Sequence, residues 1–353
     1  MFSRYSVIAA ICLCGPGGLS QAANPLTDYP AAKPGDAGYV AEDPQLARLV
    51  GRPAPDITLR SLNGGRIDIV KNYGHKPVYL RVWATYCIPC RAQMPGFEKI
   101  YQKYGTKMQI VAVNAGIGDE PGKVRRFAAE TNMHMPVAID DGSLAGWLGL
   151  DSTPFHLLIG LDGRVAYAGH QDGPPLDAAL EGVLGGRREM HVETANVEVV
   201  ATLRPGDPVP SIDLRGPDNA TVELVRKGRA RAVLFTATWC ESYLKDTEPK
   251  TVEACRRARE RADELSQNGS VEWLEVVTRL WTTPRALASY QARMKTRVPM
   301  AVDSGGQAFR AFGIQDFPAV ALIGDDGRLL RIVDLNDGDL ATAIEEFAAR
   351  RSK

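Results

Sequence analysis

The sequence predicts an α/β protein of two tandem domains, each a mixed central sheet with helices on both faces. Three observations carry that expectation. Apolar runs of strand length alternate with helical segments through residues 46–188, in the order β-α-β-α-β-β-α. Short segments of that stretch recur, in the same order, through residues 203–353. A Cys-x-x-Cys pair, Cys87 and Cys90, stands where an apolar strand gives way to a helix.

The chain has 353 residues, with 42 basic and 42 acidic side chains and 44% hydrophobic residues. That length suits two domains of ordinary size. The balanced charge argues against nucleic-acid binding and against steering by a strong field. Residues 1–23 read as a cleavable signal peptide: Arg4 supplies the positive region, residues 7–13 a short apolar run, and Ser20 and Ala22 small residues for cleavage. The apolar run is too short to span a bilayer. Cys12 and Cys14 each follow a large apolar residue, Ile11 and Leu13, which argues against a lipid anchor. The mature chain then keeps Cys87, Cys90, Cys240 and Cys255, and export places them in an oxidising compartment, the periplasm.

Residues 24–45 are rich in Pro, Gly, Ala and Asp and read as an extended lead-in. Leu46, Leu49 and Val50 suit a short docking turn. In the first domain, 66–70 is a strand after the turn Asn63-Gly64-Gly65, and 77–83 is a buried central strand. Residues 89–104 form a helix kinked at Pro95. A buried strand at 108–114, a helix at 121–130, a strand at 136–139, a hairpin of 155–160 with 164–169 across Asp162-Gly163, and a closing helix at 175–184 complete the domain. Residues 189–202 are a linker.

Cys87 and Cys90 flank Ile88 and Pro89 at the first turn of the 89–104 helix. Exchange between thiols and disulfides starts from a thiolate, and a helix N-terminus favours negative charge through its free N–H groups. Cys87 is then the attacking thiol, and Cys90, one turn in, resolves the mixed disulfide. A structural zinc site would need a second pair of ligands, and no second Cys-x-x-Cys exists. Trp83 and Tyr86 either wall the site or pack in the core.

The segment W-A-T-Y-C-I-P-C-R-A-Q-M-P resembles the active-site stretch of the thioredoxin-like TlpA/ResA-type family of exported thiol–disulfide oxidoreductases. The likeness extends to G-R-P-A-P-D-I-T-L (51–59), V-A-V-N-A-G (111–116), T-P-F-H-L-L-I (153–159) and L-D-G-R-V (161–165). It implies a thioredoxin-like fold in both domains. It also implies that Pro154, after Thr153, is a cis-proline facing the Cys pair and shaping a substrate groove. Family members mostly act as reductants toward apocytochrome or copper-site thiols, as in cytochrome c maturation, and draw electrons from a membrane-bound thiol reductant. This chain departs at Gln93, where the family usually carries Glu.

In the second copy, G-D-P-V-P-S-I-D-L (206–214) repeats 51–59, T-A-T-W-C (236–240) repeats 83–87, and F-P-A-V-A-L-I (317–323) repeats 153–159. The offset is 153 between Cys87 and Cys240 and 164 between Pro154 and Pro318. Tyr243 stands where Cys90 would recur, so Cys240 reads as a possible secondary thiol without a resolving partner. Cys255 cannot take that role: it lies 15 residues on, and along one helix that spans roughly 22 Å, beyond disulfide reach. Three readings stay open for Cys240: a relic, a thiol that captures substrate and is resolved by Cys87 and Cys90, or a disulfide to another chain. Cys255 is either core-facing or exposed, and the arginines around it read as a solvated helix face.

The expectation is a periplasmic thiol–disulfide oxidoreductase that reduces disulfides in exported clients, without cofactor or resident metal and without nucleic-acid partners. Two rival readings are a copper-binding module using Cys87 and Cys90 with Met133 or His134, and a scaffold whose second domain binds a partner. His156 reads as hydrogen-bonded within the fold, and His75, His170 and His191 as surface residues.

Overall fold

The structure is a computed structural model. It describes residues 40–41, 44–186, 192–197, 200–267, 271–334, 342–343 and 346–347. The signal-peptide reading, Cys12, Cys14 and His191 lie outside the described residues.

The first domain runs β1 (Val40–Ala41), α1 (Pro44–Ala47), β2 (Thr58–Ser61), β3 (Arg66–Asp68), β4 (Val78–Trp83), α2 (Ile88–Tyr104), β5 (Gln109–Asn114), α3 (Pro121–Glu130), β6 (Val137–Ile139), α4 (Ser143–Leu148), β7 (Phe155–Ile159), β8 (Val165–Gly169) and α5 (Pro174–Leu184). Its strands form one mixed sheet in the order β1-β8-β7-β4-β5-β6-β2-β3. β4, β5 and β6 are parallel, and β7 runs antiparallel to β4. Every residue of β4 is buried. A central strand covered on both faces reads as a continuous apolar run, which is why 77–83 stands out in the sequence. The lead-in is not wholly without structure: Val40–Ala41 adds to the sheet edge, parallel to β8. α2 continues through Pro95 as a single helix.

The second domain repeats this plan. It comprises β9 (Leu214–Arg215), β10 (Thr221–Val222), β11 (Arg231–Thr236), α6 (Cys240–Tyr243), α7 (Pro249–Ser266), β12 (Glu272–Thr278), α8 (Pro284–Met294), β13 (Met300–Asp303), α9 (Gln307–Ala311), β14 (Ala319–Ile323) and β15 (Leu329–Asp334). The sheet order is β10-β9-β13-β12-β11-β14-β15. β11 sits between parallel β12 and antiparallel β14, as β4 sits between β5 and β7. Thr153–Pro154 and Phe317–Pro318 are both cis. Part of the linker is fixed to the first domain, where the Ala195 N–H donates to the Ala54 carbonyl and the Asp56 N–H to that of Ala195.

One difference separates the two copies. Where α2 is unbroken, the second domain has the four-residue α6, a turn, and then α7 starting at Pro249. Proline fits the first turn of a helix but not its interior, so a new helix begins there. The expected single helix across 240–255 is therefore wrong. The chain folds back, and Cys240 and Cys255 form a disulfide with Cα atoms 6.4 Å apart.

Candidate active site

Cys87 is the N-cap of α2 and is bonded to Cys90, with Cα atoms 5.2 Å apart. The Cys87 sulfur accepts a hydrogen bond from the Cys90 backbone N–H at 3.2 Å. A helix end leaves its first N–H groups unpaired, and here one of them is aimed at sulfur. Pro89, in the first turn, withholds no N–H that the helix would need. The result is a sulfur whose anionic form meets a donor and the positive end of the helix dipole.

Beneath the pair lies Arg81, on β4 and fully buried. Its guanidinium donates to Gln93 Oε1 at 2.7 Å and to the Cys90 carbonyl at 3.4 Å, and it packs 5.0 Å from the Phe97 ring centroid. Burial lowers its pKa, while Tyr79 and Asp172 oppose that shift. Gln93 thus acts as a neutral acceptor for a buried cation. Across the strand pair stands His156, as the register pairs Arg81 with His156. Burial, with Arg81 adding to it, holds His156 well below the usual imidazole range, so the ring is neutral. Tyr79 OH and the His156 Nδ1 share a hydrogen bond at 2.6 Å, and Nε2 lies 3.5 Å from Asp172. His156 is hydrogen-bonded within the fold, as expected.

The loop before Cys87 is held by Asp119. Its carboxylate accepts from the Thr85 N–H at 2.7 Å, from the Thr85 hydroxyl and from Asn114 Nδ2 at 2.7 Å. Burial raises the Asp119 pKa, and Lys123 and these donors pull against it. Thr153 and cis-Pro154 precede β7, whose Phe155 pairs with Val82, so the proline lies beside the end of β4 that leads into the cysteine turn.

The second domain covers this region. The Tyr86 ring lies 5.0 Å from Trp239 and 5.8 Å from Trp281. The Ile88 N–H donates to the Tyr243 hydroxyl at 3.1 Å. Lys123 pairs with Glu248 as well as Asp119. The interface has a local two-fold character. Tyr86 and Trp239, each just before the first cysteine of its domain, face one another. The Asp119 N–H donates to the Gln315 carbonyl and the Trp281 N–H to that of Asp151, each acceptor standing three residues before a cis-proline. The two corresponding faces are thus turned toward each other. Cys87 and Cys240 are both 0% exposed, whereas Ile88, between the first pair of cysteines, is 54% exposed.

Several expectations need correction. Trp83 is buried in the core, 4.9 Å from the Phe127 ring and in the same apolar cluster as Cys87 and Cys90. Tyr86, Thr153 and Pro154 are buried too, with the second domain in place. Cys240 is not a free thiol, and Cys255 faces the core. His170 is not a surface residue. It is buried, its Nδ1–H donates to the Pro154 carbonyl at 2.7 Å, and its ring meets Phe155 edge-on. His134 pairs with Glu98, and no group of three His, Cys, Asp or Glu that could hold a metal occurs among the described residues. Arg81 and the aromatic cover were not picked out from sequence; a lone arginine inside an apolar strand was the available signal for the first.

A family model described as Redoxin matches residues 49–184. The thiol-disulfide oxidoreductase ResA of Bacillus thuringiensis is 33% identical over 130 residues, 36% of this chain and 72% of the relative. ResA of Halalkalibacterium halodurans is 36% identical over 126 residues, 35% of this chain and 69% of the relative. Among solved structures, a thiol:disulfide interchange protein of the thioredoxin family from Chlorobium tepidum aligns at 18% identity and a TM-score of 0.34, over 38% of this chain and 97% of that one.

Proposed function

The chain belongs to the redoxin family of thiol–disulfide oxidoreductases, and we propose that it reduces disulfides of exported client proteins, with Cys87 as attacking thiol and Cys90 as resolving thiol. The observation that carries this reading is the Cys87 sulfur at the N-cap of α2, accepting the Cys90 N–H. In the reduced protein the Cys87 thiolate attacks a client disulfide and forms a mixed disulfide as one client thiolate leaves. Cys90 then attacks Cys87, releases the second client thiolate and restores the Cys87–Cys90 bond. A membrane-bound thiol reductant returns the electron pair. The buried Arg81 cation beneath Cys90 favours the thiolate that this second step needs. Cis-Pro154 and Thr153 offer backbone for an extended client segment. The signal-like residues 1–23 support a periplasmic location.

Because Cys87 is fully covered, turnover on a protein client includes parting of the two domain faces. The test is the reduction potential of the Cys87–Cys90 pair, read by mass after equilibration in thiol buffers and alkylation. A value near or below that of thioredoxin, about −270 mV, supports a reductant. A value near about −120 mV, that of a strong periplasmic oxidant, reverses the direction.

A further inference from the structure

We propose that Cys240 and Cys255 form a second redox centre, which exchanges an electron pair with Cys87 and Cys90 across the face between the two domains. The proposal rests on the reading of Cys87–Cys90 as an exchanging pair and extends it to a site in the second domain.

The argument begins with position. Cys240 follows β11 as Cys87 follows β4, and Trp239 precedes it as Tyr86 precedes Cys87. The position equivalent to Cys90 holds Tyr243, which removes the resolving cysteine from its usual place. The break between α6 and α7 then brings Cys255 to Cys240 and restores a pair. A disulfide serving only to clamp the broken helix could link any two facing positions of α6 and α7. This one uses the residue that stands at the exchange position of the fold.

Proximity is the second part. Both chain neighbours of Cys87 touch the turn that carries Cys240. Tyr86 packs on Trp239, and the Ile88 N–H bonds to Tyr243 OH. Both first cysteines are 0% exposed, so in this arrangement a solvent thiol reaches neither. The nucleophile held against the Cys240 turn is then Cys87 itself. Tethering makes this encounter intramolecular, at an effective concentration in the millimolar range or above.

The step balances within the chain. With the first domain reduced by an external dithiol, the Cys87 thiolate attacks the Cys240 sulfur. A Cys87–Cys240 bond forms, the Cys240–Cys255 bond breaks, and Cys255 leaves as a thiolate that takes up a proton. The Cys90 thiolate then attacks Cys87 and expels Cys240, which also takes up a proton. The first domain ends as a disulfide and the second as a dithiol, two electrons having moved between them. The same steps in reverse recharge the first domain from the second.

The test uses the full-length chain carrying Cys90→Ser and Cys255→Ser, which leaves Cys87 and Cys240 as the thiols of the two facing turns. After mild oxidation, peptide mapping without reductant is expected to find a Cys87–Cys240 link whose yield does not depend on protein concentration. Both thiols free, or linked only between separate molecules, overturns the proposal. Should the loss of Cys255 unfold the second domain, a second measurement decides. Under limiting dithiothreitol, Cys240–Cys255 is expected to be reduced about tenfold or more faster in the wild-type chain than in the Cys87→Ser, Cys90→Ser chain, because the tethered dithiol acts at high effective concentration. Equal rates overturn the relay. Neither readout involves a client, so failure of client reduction with the relay intact would count against the proposed function alone.

Discussion

The turn that carries Cys87 and the turn that carries Cys240 start from one plan and end differently. In the first domain a helix of 17 residues follows, the sulfur caps it, and the partner cysteine lies on the next turn. In the second, the helix stops after four residues, no side chain caps it, and the partner arrives from a separate helix. Spacing in sequence did not decide which cysteines pair; helix continuity did. The two turns differ in surroundings as well. Beneath Cys90 lies a buried cation, whereas Cys255 sits near the Thr236 hydroxyl, at 3.8 Å. The asymmetry teaches that one plan can pair its first cysteine in two ways: within one capped helix, or across a break between two helices.

The sharpest way to separate the two turns is to remove the capped sulfur. Cys87→Ser is expected to abolish reduction of a disulfide-bonded model protein, a loss of roughly a thousandfold or more in kcat/KM. Cys90→Ser is expected instead to accumulate a mixed disulfide between Cys87 and the client, visible by mass as an adduct. An active Cys87→Ser chain would break the assignment of the first turn as the site of attack.

Next in size is the cover. Trp239→Ala with Trp281→Ala removes the rings that close over Tyr86. Each aromatic pair contributes about 0.5–1.5 kcal/mol beyond the area it buries, so loss of both is expected to raise the alkylation rate of Cys87 in the reduced chain on the order of tenfold. An unchanged rate, with the fold intact by circular dichroism, would mean that the faces part freely without these contacts.

Smaller again is the effect of the buried cation. Gln93 accepts from Arg81, and Gln93→Glu would place a carboxylate on the same guanidinium. The positive charge beneath Cys90 is then neutralised, and the Cys90 thiolate is expected to be less favoured and to form at higher pH. The pH dependence of thiolate absorbance in a Cys87→Ser background measures this. A fall in pKa would show that Arg81 does not act on the sulfur.

Much of this architecture was legible in the chain because it rests on local signals. The buried run of β4, the Asp162-Gly163 turn of the β7–β8 hairpin and the Cys-x-x-Cys at a strand–helix junction each follow from a few adjacent residues. The site's cover was not legible, because Tyr86, Trp239 and Trp281 come together only after both domains have folded. Cys255 was misplaced for a different reason. Counted along one helix, Cys255 lies out of reach of Cys240, but Pro249 starts a new helix between them. His170 was misread because a residue just past a strand resembles a loop residue, and nothing in its neighbours shows that it would bond to the Pro154 carbonyl.

A further expected effect comes from a buried charge that the two domains place differently. In the first domain the cross-strand pair of β4 and β5 is Arg81 with Ala112; at the corresponding place in the second, β11 and β12 pair Leu234 with Glu275. Glu275 is buried, and neither carboxyl oxygen has a hydrogen-bond partner among the described residues. Burial pushes its pKa up to about 8; Arg259 opposes the shift and Glu241 adds to it. The unfolded chain loses this proton near the ordinary value of 4.5, so between that value and about 8 the folded state binds up to one proton more than the unfolded state. Stability from this group is therefore full at acid pH and falls as pH rises toward 8. Glu275→Gln keeps the shape and removes the titration. The melting temperature of the variant is expected to fall less than that of the wild type between pH 5 and pH 8.5, by roughly 2–4 °C for each kcal/mol of linkage removed. Parallel melting curves for the two proteins across that interval would show that Glu275 is already ionised in the folded domain, and that water or a rearranged Arg259 reaches it.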